Sequence, residues 1–361
     1  MKHVDEYRDF ALAGVLIDGI RQIADRPFKF MEVCGSHTVA IFKSGIKDLL
    51  PRHISLISGP GCPVCVTAVE DIDKAVAIAR MDGVVLATFG DMVRVPGSRV
   101  SLQKAKADGA DVRVVYSPFD ALKLAQSDPS RKVVFLAAGF ETTSPAVAAT
   151  LGRAIEAGVK NFLLLSVHKT IPGAMRALLD TPELALDGFI CPGHVSTIIG
   201  AAPYRFIADE YRRAAVVSGF EPLDILQSTL MLIKQSREGR PAVEIQYRRA
   251  VSEAGNPVAR AALGRYFEAS DANWRGIGVI PGSGLKLKAE YAAYDAERVL
   301  DIKIGKPGDT SGCICGMVLK GIKNPPECGL FGKACTPETP VGACMVSFEG
   351  SCAAYYKYGA R

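Results

Sequence analysis

The chain has 361 residues, 48% of them hydrophobic and 22% charged, enough to bury one large core or two to three ordinary domains, which excludes disorder as its main state. Forty-three Lys and Arg against 38 Asp and Glu leave a net charge of +5, too diffuse for a phosphate-binding face, so nucleic acid is not an expected partner. The opening MKHVDEYRDFALAG carries acids where a signal peptide needs a basic and then an apolar stretch. No apolar run nears the roughly 18 residues of a spanning helix, so the expectation is a cytoplasmic protein with no membrane segment.

From residue 28 onward, short apolar runs rich in β-branched residues alternate with helical patterns. The runs are FKFMEV, HISLISG, GVVLATFG, DVRVVYS, KVVFLAAG, NFLLLSV, DGFICPG and AAVVSGF, spaced by segments such as AVEDIDKAVAIARMD and AVAATLGRAIEAG. Continuous apolar strands alternating with amphipathic helices predict an α/β protein with parallel sheets covered by helices. These strands are too many for one small βαβ unit, so the expectation is two similar α/β domains facing a central cleft. The polar stretch AQSDPSRK sets the boundaries at 1–128 and 129–240, with a Cys-rich C-terminal domain over 241–361. Beyond 240 the pattern weakens to one helix around NPVARAALGRYF and a Gly-rich GIGVIPGSG that reads as a turn. No dinucleotide or P-loop fingerprint follows a strand, so a nucleotide cofactor is not supported.

Ligands of open α/β sheets bind outside the carboxyl ends of the strands, which makes the post-strand loops the candidate site. They carry Cys34-Gly35-Ser36-His37, Gly61-Cys62-Pro63-Val64-Cys65, Gly90-Asp91, Gly139-Phe140-Glu141, His168-Lys169 and Cys191-Pro192-Gly193-His194. Cys62 and Cys65 form a C-x-x-C at a strand-to-helix junction, where backbone N–H groups favour thiolate and a reversible dithiol/disulfide is expected. Cys34, with His37 in the same loop, is suited to nucleophilic attack or to holding a soft metal; a plain buried thiol is the alternative. Glu141, His194, His168 and Asp91 are candidate acids, bases or supports, each equally able to be a cap or a satisfied core group, and Cys191 reads as core.

Six of the ten cysteines, Cys313, Cys315, Cys328, Cys335, Cys344 and Cys352, fall in the last 49 residues, a stretch with little periodicity. Such a tail needs a stabiliser besides apolar burial, and a metal centre supplies one. The tail has no His, and its irregular spacing favours an all-thiolate iron–sulfur cluster over zinc, which stays open as a structural alternative.

MEVCGSHT, GPGCPVCVT, GDMVRVPGS, AAGFETTSP, CPGHVSTIIG and ECGLFGKACTPETPVGACMVSFEGSCAAYYKY together resemble the HypD family of hydrogenase maturation factors, in order over about residues 30 to 358. The resemblance implies two α/β domains plus a C-terminal [4Fe-4S] domain. It further implies assembly of the Fe(CN)2CO unit of [NiFe]-hydrogenases in a one-to-one complex with a HypC-like small chaperone, cyanide coming from a HypE-like donor. By motif, Cys34 would hold the iron together with a partner cysteine, His37 would share its loop, and Cys62 and Cys65 would be the redox-active dithiol. The family's ligand spacing selects Cys313, Cys328, Cys335 and Cys352 for the cluster, with Cys315 or Cys344 as possible substitutes. Two positions depart from the family's pattern, Gly173 in HKTIPGAM and Phe348 in the tail. A stand-alone iron–sulfur thiol/disulfide oxidoreductase, which would not need Cys34, is the competing expectation.

Overall fold

The computed structural model describes residues 7–308 and 312–359. The eight apolar runs are eight parallel strands: β1 (Phe28–Glu32), β2 (Ile54–Ser58), β3 (Val84–Thr88), β4 (Val112–Val114), β5 (Lys132–Ala137), β6 (Phe162–Ser166), β7 (Gly188–Pro192) and β8 (Ala214–Ser218). A short β9 (Val243–Ile245) follows, and an antiparallel hairpin joins β10 (Phe267–Trp274) to β11 (Gly278–Leu287). The parallel strands form two sheets, one in the order β2-β1-β7-β8-β9 and one in the order β4-β3-β5-β6. The α/β class with two parallel sheets is therefore as expected.

The strands are distributed differently from the expected boundaries. The chain leaves the first sheet after β2, builds the whole second sheet, and returns at β7, where Phe30 pairs with Gly188. The polar stretch at 125–132 falls inside the second sheet, because β3 pairs with β5 through Val84 and Lys132 across it. It marks only the end of helix Pro118–Ser127 and the turn into β5. Likewise β9 lies beyond residue 240 yet extends the edge of the first sheet, pairing Ala215 with Val243. Parallel neighbours require a crossover, and nothing in the crossover's length says which strand it returns to.

Helices Phe10–Ile23 and Pro222–Glu238 close one face of the first sheet, burying Ile20, Phe28, Phe30, Val216 and Ile233 in one cluster. Helix Ile171–Leu179, which follows β6 of the second sheet, packs its Ile171, Met175 and Leu178 on the opposite face of the first sheet and so ties the two together. The second sheet is sandwiched between Val69–Ala79 with Leu102–Ala107 and Pro118–Ser127 with Ser144–Glu156.

The GIGVIPGSG stretch is the far side of the hairpin rather than a turn alone: Val279 and Ile280 already pair with Asn273 and Ala272. The hairpin lies between the two sheets. Trp274 is fully buried, bridges to Thr67 just after the C-x-x-C, stacks on Phe140 after β5 at 5.9 Å, and donates its indole N–H to Ser283 Oγ at 2.8 Å. Gly173 lies under the same hairpin; a Cβ there would come within 2.9 Å of Ser283 Cβ, so the missing side chain accommodates the approach.

The Cys-rich tail has only a small cluster of its own, around Cys335, Met345 and Ala353. Its stability comes from insertion between the sheets. Ala343 and Val346 pack into the second sheet's core, while Cys315, Leu319 and Cys344 pack into the first sheet's. Arg94, from the GDMVRVPGS motif, donates to the Val346 carbonyl at 2.6 Å and the Pro337 carbonyl at 3.3 Å. Among the described residues no helix is long and apolar enough to cross a membrane.

Because Trp274 joins the hairpin to both sheets, Trp274→Ala is expected to cost about 3–5 kcal/mol, the usual range for emptying a buried aromatic site. Urea titration of the anaerobically purified chain reads this as a lowered midpoint; an unchanged midpoint would show that the hairpin is dispensable for stability.

Candidate functional site

All six tail cysteines line one cavity of about 330 Å³, whose other walls are apolar: Ile314, Val318, Leu330, Phe331 and Met345. This donor set, six thiols in an apolar wall, fits a thiolate-bound metal centre, whether an iron–sulfur cluster or a zinc ion. The thiols are not equivalent. Cys315 and Cys344 lie Sγ to Sγ at 2.7 Å, on the side of the cavity that faces the first sheet. Cys344 also neighbours the thiols of Cys352 and Cys65, and so joins the tail to the C-x-x-C.

Cys62 is the N-cap of the single helical turn Pro63–Val66, and its Sγ accepts from the Cys65 N–H at 3.3 Å. The helix-start position of the motif is as the sequence implied, while at Cys65 burial works against thiolate. Cys65 has no exposure, and burial pushes its thiol well above the ordinary value, a desolvation that one turn of helix cannot offset. A buried guanidinium, Arg275, stands beside these sulfurs. Its Nε and Nη2 donate to the carbonyls of Thr67 and Pro96, each at 2.8 Å. Burial pulls its pKa down, and Cys315, Cys344, Cys313 and Cys65 act in the opposite direction.

Cys34 follows β1 as the N-cap of helix Gly35–Lys43, and the C-x-x-C loop lies against its backbone: Gly35 N–H donates to the Gly61 carbonyl at 3.1 Å. Here glycine is required by contact, since a Cβ at 61 would sit 2.1 Å from the Cys34 nitrogen and one at 35 would sit 2.4 Å from Glu349 Cβ. Burial pushes the Cys34 thiol up to about 12, with Glu349 and Glu32 adding to the rise. His37 is buried in the same helix, donates Nε2–H to the Gly219 carbonyl at 2.8 Å, and leaves Nδ1 without a partner; burial lowers its pKa to about 4. Phe220, after β8, is stacked between His37 at 4.5 Å and the exposed His194 at 3.9 Å.

Glu349 was not singled out from the sequence. It accepts from Ser36 Oγ at 2.7 Å and acts electrostatically on both Cys34 and His194. Nothing local marks it; only its place in SFEGS, between two tail cysteines, could have drawn attention. The neighbouring Phe348 is 68% exposed and stands by Ser36 and Phe220 at the outer edge of this group.

The remaining candidates lie elsewhere. Glu141 is buried after β5 and receives the Ile171 N–H at 3.0 Å, capping helix Ile171–Leu179, and burial pushes its pKa up to about 7. His168 is buried, bonded through Nδ1 to Ser166 Oγ at 3.1 Å, with Nε2 unpartnered and its pKa lowered to about 3 by burial. Lys169 beside it pairs with Asp71 at 3.2 Å in the interior. Asp91 faces Arg94 at 3.8 Å near the surface, and Cys191 is core. The structure thus brings Cys34, His37 and His194 together with the unforeseen Glu349, puts Cys62 and Cys65 between that group and the thiol cavity, and leaves Glu141 as a helix cap.

The HypD family model, described as "Hydrogenase formation hypA family", matches residues 11–359. The chain belongs to the HypD family. It is 50% identical to the hydrogenase maturation factor HypD of Azotobacter vinelandii, over 99% of this chain and 97% of that one. It is 48% identical to the proteins of the same name from Rhizobium leguminosarum bv. viciae, over 99% and 96%, and from Escherichia coli K12, over 99% and 98%. HypD-family membership makes this a hydrogenase maturation factor, and the thiol cavity, the C-x-x-C and the Cys34 loop all lie within the matched range.

Glu141 permits a test of the capping role. A carboxyl whose folded pKa is raised from 4.5 to about 7 stabilises the fold fully below pH 4.5 and loses that contribution as pH rises through 7. Glu141→Gln keeps an acceptor for Ile171 without the titration. The unfolding free energy of the variant relative to the parent should therefore rise by on the order of 2–3 kcal/mol between pH 4.5 and pH 8, read from urea titrations across that range. A pH-independent difference would show that Glu141 is ionised in the fold.

Proposed function

We propose that this HypD-family chain is the scaffold and electron relay on which the Fe(CN)2CO unit of a [NiFe]-hydrogenase is assembled, in a complex with a HypC-like small chaperone and a HypE-like cyanide donor. The observation that carries the reading is the unbroken line of thiols from the six-cysteine cavity through Cys344 to Cys65 and Cys62, whose loop packs on Cys34.

Cys313, Cys328, Cys335 and Cys352 are the ligands we assign to a [4Fe-4S] cluster. The choice follows the family's ligand spacing, and Cys344, which also neighbours Cys65, is left to join the cavity to the C-x-x-C. Such a cluster, when bound, stores and passes single electrons. Cys62 and Cys65 collect them in pairs: two electrons and two protons open a disulfide to two thiols, and closure returns both to a reductive cyanide transfer at the iron. Cys34 holds the iron as cargo. Burial raises its thiol pKa, so holding iron as a thiolate means giving up that proton, and Glu349 is the carboxylate facing it. Low-spin Fe(II) with cyanide and CO is a soft centre that suits a thiolate in a dry pocket, and Cys34 is buried, with the tail turn at Glu349 packed on the residue that follows it.

The competing oxidoreductase would have to present Cys62 or Cys65 to a substrate disulfide. They are 3% and 0% exposed, which favours transfer within the chain over attack on an outside protein.

Infrared spectra of anaerobic protein, co-expressed with the chaperone and the other maturation factors, test the scheme. Bands of metal-bound cyanide and CO are expected in the parent and absent in Cys34→Ala, with cluster absorbance retained in both. Persistence of the bands in Cys34→Ala would overturn the scaffold role. Cys328→Ser should lose iron and labile sulfide, whereas Cys315→Ser should keep them and lose reduction of the Cys62, Cys65 pair; the reverse pattern would reassign the ligands.

A further inference from the structure

The thiol line is sealed along most of its length: Cys62, Cys65 and Cys344 are 3%, 0% and 1% exposed. Its half-buried members are Cys313, Cys328 and Cys352, and of these Cys313 stands in the wall of an open cleft. That half-buried residue lines the thiol cavity on one side and an open cleft of about 1030 Å³ on the other. Residue 342, on the cleft's wall, is glycine, and a Cβ there would come within 2.6 Å of Cys313 Sγ, so the bare backbone at 342 packs directly against the sulfur.

The rim of this cleft has an uneven chemistry. Lys320, half-buried, lines it and no carboxylate does, while Arg275 in the same lining is buried and held by the carbonyls of Thr67 and Pro96. Met317 and Ile322 are 50% and 45% exposed on the same rim. Exposed apolar side chains beside a lysine, with no carboxylate in the lining and a half-buried thiol of the redox line behind them, are what a transient encounter with an acidic protein would bury.

We propose that this cleft is the docking site of an acidic one-electron carrier protein of the ferredoxin class, which delivers electrons at Cys313. The inference rests on the cluster assignment made above. Each encounter oxidises the carrier by one electron; two encounters, with two protons from solvent, convert the Cys62, Cys65 disulfide to two thiols. Interfaces of this kind are small, below about 1,200 Å², and they depend on charge steering rather than on area, so their association rates fall with salt.

The test is anaerobic stopped-flow reduction of the full chain by a reduced [2Fe-2S] ferredoxin of acidic surface, after iron and labile sulfide have been assayed. Lys320→Glu should lower the second-order rate constant about tenfold at low ionic strength, with the gap closing to less than about twofold at high salt, where charges are screened within a few ångströms. Met317→Ser should lower the rate severalfold at both ionic strengths. Reduction by photoreduced deazaflavin, a small donor that needs no docking, should be the same in all three proteins. With iron and sulfide present, equal ferredoxin rates in parent and variants, or an equal loss with deazaflavin, would overturn the docking site alone. Absence of iron and sulfide from the parent would overturn the cluster assignment and the docking site together.

Discussion

The constraint on which the rest depends is that the Cys-rich tail has too little apolar surface to fold by itself and is wedged between two sheets. Val346 belongs to one core, its near neighbour Cys344 to the other, and Arg94 holds the backbone between them. Because the tail is fixed in that way, the same few residues do two jobs. Cys344 touches the cavity thiols and Cys65, and five residues later Glu349 closes over Cys34. The distance between the six-cysteine cavity and the Cys34 thiol is set by the length of one tight turn.

Dryness is the second consequence. Glu32, Glu141, His37 and His168 are all buried, and desolvation pushes the two acids up and the two histidines down, so each favours its neutral form. The formal charge of the interior near the site is therefore held in the Lys169, Asp71 pair, the Arg249, Asp224 pair and the guanidinium of Arg275. In such surroundings a fixed cation beside four sulfurs carries more electrostatic weight than it would in water. Arg275 is held there by two backbone carbonyls, from Thr67 and Pro96, on either side of the helix that follows the C-x-x-C.

Much of this was legible in the chain. Eight apolar runs became eight parallel strands, the loops after them carried Cys34, Cys62, Cys65 and His194, and the tail cysteines gathered in one place. Those features are local: a buried parallel strand needs a continuous apolar run, and a C-x-x-C at a strand end needs no distant partner to be recognised. The hairpin at 267–287 is not legible in the sequence because both strands are half-exposed, the second is glycine-rich, and neither alternates regularly.

The amino-acid order by itself determined the strands, the chemistry of each loop and the family. Tertiary structure alone decided which strands are neighbours, placing β3 to β6 as an insertion between β2 and β7, and which distant residues meet. Glu349 against Ser36, Arg94 against Val346, Arg275 beside Cys315, and Glu141 as a cap all join positions far apart in the chain. Their identities as Glu or Arg say only that they need a partner. Which partner they find follows from how the apolar faces of the whole chain pack, and that is a property of no single segment.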